Sequence, residues 1–163
     1  MEKQIKFDTL KKLITKFGLT ISNSDETRPW GGFFVIDETQ SQEFADVFLK
    51  GLDVSELKIS GKLSPKILLV KPHTRLSWQY HHRRAELWRV IEGQVGIVRS
   101  DSDEEKELEL LNTFDEVTLK HGERHRLVGL DDWAVIAEIW QHTDPNNPSN
   151  EEDIVRVQDD FGR

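Results

Sequence analysis

Leu76-Ser77-Trp78-Gln79-Tyr80-His81-His82-Arg83-Arg84-Ala85-Glu86-Leu87-Trp88-Arg89-Val90-Ile91-Glu92-Gly93 is the stretch that decides how this chain is read. Side chains of a β-strand alternate between faces, so Gln79 and His81 point one way while Tyr80 and His82 point the other. Arg83 to Ala85 then supply a turn, and Glu86 re-enters on the ligand-bearing face as the next strand begins. About forty residues on, Gly122-Glu123-Arg124-His125 brings a second imidazole to the start of another strand. Two imidazole nitrogens, a carboxylate oxygen and an amide oxygen form a coherent shell for zinc, manganese, iron or nickel. A shell without thiolate leaves positions open to water or substrate, which is the pattern of a working rather than a structural metal.

The same texture continues on both sides. From residue 64, short β-rich runs alternate with turn signals about every ten residues. They read KILLVK, RLSWQYH, ELWRVIEG, QVGIVRS, EKELELL, DEVTLK, RHRLVGL and WAVIAEIWQ. Such spacing predicts an all-β sandwich or barrel over 64–141. Before it, Phe7, Leu10, Leu13, Ile14 and Phe17 form one helical stripe stopped by Gly18. A second helix is expected over 40–50, with Phe44, Val47 and Phe48 inward and Gly51 at its end. Both are read as packing elements over a sheet, separated by an Arg28-Pro29-Trp30-Gly31-Gly32 turn and a strand from Phe33 to Ile36. After Trp140 the chain turns polar and Asn/Pro-rich, a surface tail with one last extended segment. No internal boundary is visible, so 1–163 is read as one domain: a cover over 1–60, a barrel core over 64–141 and a tail over 142–163.

Composition narrows the chemistry. The 163 residues include no cysteine, so any metal rests on His, carboxylate or amide oxygen. The formal charge of −8 opposes a nucleic-acid partner, because phosphate backbones need a basic surface. An anionic small molecule remains compatible, since Arg75, Arg83, Arg84, Arg89, Arg124 and Arg126 crowd the middle of the chain. The charged opening MEKQIKFDTLKK lacks a signal-peptide core, and no apolar run nears the roughly 20 residues that span a bilayer. The expectation is a cytoplasmic protein with no membrane partner. His73, His121 and His142 are read as loop histidines, and Tyr80 and His82 as barrel-exterior residues.

LSWQYHHRRAELWRVIEG, then GERHRL, then EIWQ, then a closing DIVRVQDDFGR together resemble the cupin domain of type II phosphomannose isomerases. That domain also forms the C-terminal part of bifunctional mannose-1-phosphate guanylyltransferase/phosphomannose isomerases. The likeness spans roughly 28–163, from Arg28-Pro29-Trp30-Gly31 to Arg156, Asp159, Asp160, Gly162 and Arg163. It implies an all-β cupin double-stranded β-helix (jelly-roll) barrel with short N-terminal helices. It also implies one divalent metal on Gln79, His81, Glu86 and His125, with zinc first. The reaction implied is interconversion of mannose 6-phosphate and fructose 6-phosphate, in carbohydrate and polysaccharide precursor metabolism. Arginine meets phosphate in bidentate fashion, which nominates Arg84 and Arg126, then Arg163. For the proton transfer the candidates are Lys71, Glu138 and a metal-bound hydroxide, with Arg84 at the reacting centre. An iron-dependent dioxygenase on the same shell and a non-catalytic metal- or sugar-binding barrel are the competing readings. Two departures stand out: Arg83 replaces the family's third consecutive histidine, and Lys120-His121-Gly122 lacks a proline. A homodimer is expected, with Trp78 and Trp133 among the aromatic residues needing cover.

Overall fold

A computed structural model describes residues 2–57 and 62–163 of the chain; of the expected N-terminal cover over 1–60, Met1 and 58–60 lie outside the described residues. In chain order the elements are α1 (Glu2–Lys16), β1 (Ile21–Asp25), β2 (Gly31–Ile36), α2 (Ser41–Phe48), β3 (Lys66–Val70) and β4 (Trp78–Tyr80). They continue with β5 (Arg84–Glu92), β6 (Val95–Ser100), β7 (Glu109–Leu111), β8 (Glu116–Leu119), β9 (Arg124–Gly129), β10 (Ala134–His142) and β11 (Val155–Gln158). A 3-10 turn, Glu38–Gln40, leads into α2.

Alternation along the strands sorts the side chains into two cores. On β3, Ile67 and Leu69 face the helices while Leu68 and Val70 face the other way. On β10, Val135, Ala137 and Ile139 join the helix side, and Ala134 and Ile136 the opposite one. Both faces of these strands are therefore buried, which is why they read as continuous apolar runs rather than alternating ones. The first core packs Phe7, Leu10 and Ile14 of α1 and Phe44 and Phe48 of α2 against the sheet. The second fills the barrel with Trp88, Val90, Val95, Ile97, Val117, Leu119 and Leu127.

Those barrel residues come from two sheets that close on one another. One runs β1-β2-β3-β10-β5-β8 and the other β11-β4-β9-β6-β7, all pairs antiparallel. The Trp30-Gly31 turn ties β2 onto β3. Gly31 has φ +136°, and a Cβ there would lie 1.8 Å from the Leu69 carbonyl oxygen, so only glycine admits that approach.

Several expectations need correction. The run 75–81 yields only a three-residue strand, β4, because Arg75 makes an isolated bridge to Val128 and the chain then shifts. β1 carries no sequence signal; its register with β2 is supplied by the Phe33–Ile36 partner strand. Trp78 is buried, its indole N–H donating to the Asp103 carbonyl at 2.8 Å, so it is core and not an exposed aromatic. His142 is no loop residue: it ends β10, fully buried, with Nδ1 accepting from the Ser149 amide. Leu13 on α1 and Phe17 just past its end stay exposed although they share the stripe with buried neighbours.

Candidate metal centre

Four strands converge at one end of the barrel. His81 follows β4, Glu86 sits on β5, His125 on β9 and Glu138 on β10. Register fixes their meeting: β4 pairs with β9 at Gln79 opposite His125, and β10 with β5 at Trp140 opposite Glu86. The Gly122 amide donates to the His81 carbonyl at 2.7 Å, locking the two histidine-bearing segments together. Gly122 adopts φ +78°, the left-handed turn for which glycine is suited.

His81, Glu86 and His125 are all buried, and one ligand atom from each lies within 4.8 Å of the others. His81 Nε2 is 3.0 Å from Glu86 Oε1, and His125 Nε2 is 3.8 Å from Glu86 Oε2. Each imidazole has its other nitrogen on a backbone carbonyl: His81 Nδ1 at 2.6 Å from Asp153 O, and His125 Nδ1 at 3.0 Å from Glu123 O. A carbonyl only accepts, so Nδ1 carries the hydrogen in the neutral ring and the Nε2 lone pair turns inward. His125 Nε2 is buried with no hydrogen-bond partner. Lone pairs aimed at a buried carboxylate, one of them orphaned, are the donor set that a divalent cation satisfies. The three residues therefore fit such an ion. Gln79 lines the same cavity, its side-chain oxygen accepting from the Ser77 hydroxyl.

The electrostatics follow from burial and neighbours. Burial alone would raise the Glu86 carboxyl, but Arg84, His81 and His125 outweigh it and hold the group well below the usual carboxylate range. Burial pushes His125 down to about 4, so the ring is neutral and available as a ligand at pH 7. Glu138 goes the other way: burial first, then the adjacent Glu86 charge, push it up to about 8. Its two oxygens accept from Trp88 Nε1 at 2.6 Å and Trp140 Nε1 at 2.9 Å.

Glu86 also lines a cleft of about 110 Å³ that opens to solvent. Its walls include Trp30, Phe33, Trp88 and Trp140, with Arg28, Lys66, Arg84, Arg156 and Arg163 as cations. Arg84 is stacked 3.5 Å over Trp140 and donates to Glu86, Ser149 and the Asn150 carbonyl. Lys66 lies over the Trp140 and Phe33 rings and pairs with Glu151. Arg163 reaches the cleft while paired with Asp159 at 2.8 Å.

Among the residues nominated from sequence, Gln79, Arg84, Glu86, Glu138 and Arg163 thus line one cleft, and His81 and His125 meet it through Glu86. Arg126 and Lys71 are not brought to it. Arg126 is fully buried elsewhere, donating to the Leu76 and Gln158 carbonyls, Gln158 Oε1 and Glu105. Lys71 is exposed, and only its backbone is engaged, with Trp30 and Thr74. Sequence reasoning misses Lys66, Arg28 and Asp153. A lysine opening a continuous apolar run, on the barrel-facing parity of β3, is the available signal for Lys66.

Comparison with known proteins places this arrangement in context. Solved structures that share the fold include hazelnut (Corylus avellana) vicilin, with TM-score 0.57 and 16% identity over 84% of this chain and 35% of that one. Another is a point mutant of Bacillus subtilis oxalate decarboxylase, with TM-score 0.58 and 15% identity over 85% of this chain and 32% of that one. These show the cupin β-barrel. Among curated proteins, a xanthan biosynthesis protein XanB of Xanthomonas campestris is 29% identical over 83% of this chain and 23% of its own length. The alginate biosynthesis protein AlgA of Pseudomonas aeruginosa is 27% identical over 77% of this chain and 24% of its own. The chain thus spans about a quarter of the curated relatives it matches. Residues 47–159, which carry β3 to β11 and all three His/Glu/His positions, match the family model described as mannose-6-phosphate isomerase C-terminal, and the chain belongs to that family.

Proposed function

We propose that this chain is a metal-dependent sugar-phosphate isomerase domain that interconverts mannose 6-phosphate and fructose 6-phosphate. One observation carries the reading: His81 and His125 converge on Glu86, and Glu86 lines a cleft whose walls carry five cations. Family membership supports the reaction class. His81, Glu86 and His125, with Gln79 as a fourth donor, would hold the ion, and zinc is our choice among the metals that suit such ligands. Bound there, a divalent cation polarises the sugar's carbonyl and hydroxyl oxygens and offsets negative charge that develops on them.

The chain's own residues supply the rest. Arg156 and Arg163 line the outer cleft, where guanidinium groups meet a phosphate in bidentate fashion. Arg84 is held by Glu86, by the 149–150 segment and by His81 Nε2 at 3.3 Å, so its charge is fixed beside the reacting end. Trp30, Phe33 and Trp140 exclude water from the carbons between. Glu138 is the proposed proton carrier. It takes the proton from C2 of the aldose, and the electron pair moves into the C1–C2 bond as the carbonyl oxygen O1 gains a proton. The same carboxyl then returns a proton to C1 while the C2 hydroxyl gives up its own, equal to the one O1 gained, and becomes the ketone carbonyl. A carboxyl whose ionisation lies near neutrality can pass a proton in both directions. We further infer that the protein works in the cytoplasm as a homodimer. Ile5 and Leu13 on α1 and Phe17 just past its end leave apolar area open in support of that assembly, and sedimentation at twice 19.0 kDa is the expected result.

Proton NMR of mannose 6-phosphate in D₂O with zinc-reconstituted protein tests the reaction. Fructose 6-phosphate should appear with deuterium entering the exchanged carbon, and His125→Ala should abolish it. Glu138→Gln should retain metal while lowering kcat by roughly 10²–10⁴. Oxygen uptake by an iron-loaded protein without isomerisation would replace this reading with a dioxygenase, and metal binding without turnover would replace it with a binding role.

A further inference from the structure

The segment Ser149–Ile154 crosses from the end of β10 to the start of β11 directly behind the candidate metal centre. Asp153 is its most heavily bonded residue. Its carboxylate is fully buried and accepts from the His82 and Arg83 amides, both at 2.9 Å, and from the Ser149 hydroxyl at 2.6 Å. Its own carbonyl accepts from His81 Nδ1 at 2.6 Å. One residue therefore grips the turn after His81 with its side chain and the His81 ring with its main chain. The Arg83 guanidinium, standing where the family has a histidine, lies 3.9 Å from the same carboxylate.

We propose that Asp153 is a positioning residue for the metal centre: it orients the His81 imidazole and fixes its tautomer through the C-terminal strap, without touching the ion. The inference rests on the metal reading given above. Its physical basis is that the two contacts are cooperative. The carboxylate's three donors fix the strap backbone against the His81–Arg83 turn, and only that placement puts the Asp153 carbonyl in reach of Nδ1. A carbonyl at Nδ1 leaves the Nε2 lone pair for the cation, and partners of this kind are worth about 10–100-fold in metal affinity. The strap also carries Glu151 and Ile154 into the cleft wall and leads to Arg156, so the element that seats the ligand also shapes the substrate end.

Zinc affinity, measured by competition with a chromophoric chelator, tests this for wild type, Asp153→Ala, Asp153→Asn and Asp160→Asn. Asp160 anchors the same tail to Arg75, at 2.7 and 2.8 Å, away from the ligands. The expected result is one ion in wild type, a roughly 10–100-fold weaker affinity in Asp153→Ala, a smaller loss in Asp153→Asn and no change in Asp160→Asn. Long-range ¹H–¹⁵N spectra of the metal-free proteins should show His81 as the Nδ1–H tautomer in wild type and a mixture in the Asp153 variants. If Asp153→Ala fails to fold, the Asp153→Asn affinity and spectrum decide alone. Wild-type affinity and tautomer in the Asp153 variants, or equal losses in Asp160→Asn, overturn the proposal while leaving the metal centre intact. A wild type that takes up no ion overturns the metal centre itself, and this role with it.

Discussion

Glu138 and His125 sit in one buried site yet are pushed in opposite directions, and each direction makes a statement about stability. Glu138 is raised from its ordinary 4.5 to about 8, so folding favours its neutral form. The stability this contributes is complete below pH 4.5 and is lost as pH rises toward 8. His125 is lowered from 6.5 to about 4, so its contribution is complete above pH 6.5 and is lost as pH falls toward 4. The two windows overlap between 4.5 and 6.5, but above 6.5 only Glu138 still titrates. Urea midpoints of the metal-free protein should therefore fall between about pH 6.5 and 8.5, and Glu138→Gln should flatten that fall. An equal slope in the variant would remove Glu138 as its source. Arg126 gives a second residue-scale expectation. Its buried guanidinium has four acceptors and no access to the cleft, so Arg126→Ala should cost roughly 3 kcal/mol in chemical denaturation while leaving KM unchanged. A raised KM in a stable variant would return Arg126 to the substrate site.

At the scale of elements, β2 depends on a single glycine. Gly31 combines φ +136° with a Cβ position inside van der Waals contact of the β3 backbone. Gly31→Ala must therefore strain the residue and separate two hydrogen-bonded strands, and a loss of at least about 2 kcal/mol is expected by thermal or chemical melts. A near-neutral substitution would show that the β2–β3 register has slack. This element also illustrates what sequence carries and what it does not. Strand alternation puts Gln79 and His81 on one face because a period of two is local, the Arg83–Ala85 turn returns Glu86 to it, and the Gly-x-x-His signal carries His125. Arg126 is misjudged from sequence because being inside a motif says nothing about face: one residue past His125 on β9, its side chain must point to the opposite side. Asp153, the role of His142 and the partner of Lys66 are illegible for another reason. Each is defined by a partner far away in sequence, or by a tail whose polar composition reads as surface. Polar residues that bury themselves by bonding to backbone leave no periodic trace.

For the whole molecule, the barrel is packed at one end and polar at the other. Apolar side chains from both sheets fill the interior, whereas the site end buries Arg84, Glu86, His81, His125 and Glu138 together. Such a group is costly to desolvate unless each charge is matched. In the metal-free protein the matching is incomplete, because the His125 Nε2 lone pair has no donor. A cation bound at these residues would supply what is missing, and it would bind the folded chain far more tightly than the unfolded one. Stability should then rise with free zinc by RT ln(1 + [Zn]/Kd), or about 2.7 kcal/mol at one hundred times Kd. For a domain of this size that is a rise in Tm of roughly 5–11 °C. The gain should shrink as pH falls toward about 4, where protons compete for the His125 nitrogen in the folded chain. His125→Ala should lose most of the zinc-dependent rise while starting from a metal-free Tm close to that of wild type, since the substitution also removes an unsatisfied buried nitrogen. Differential scanning calorimetry across a zinc titration at about pH 7.5 and 4.5 measures all of this. A Tm indifferent to zinc at both pH values would mean that the polar end of the barrel is balanced by its own hydrogen bonds, and that His81, Glu86 and His125 form a structural cluster.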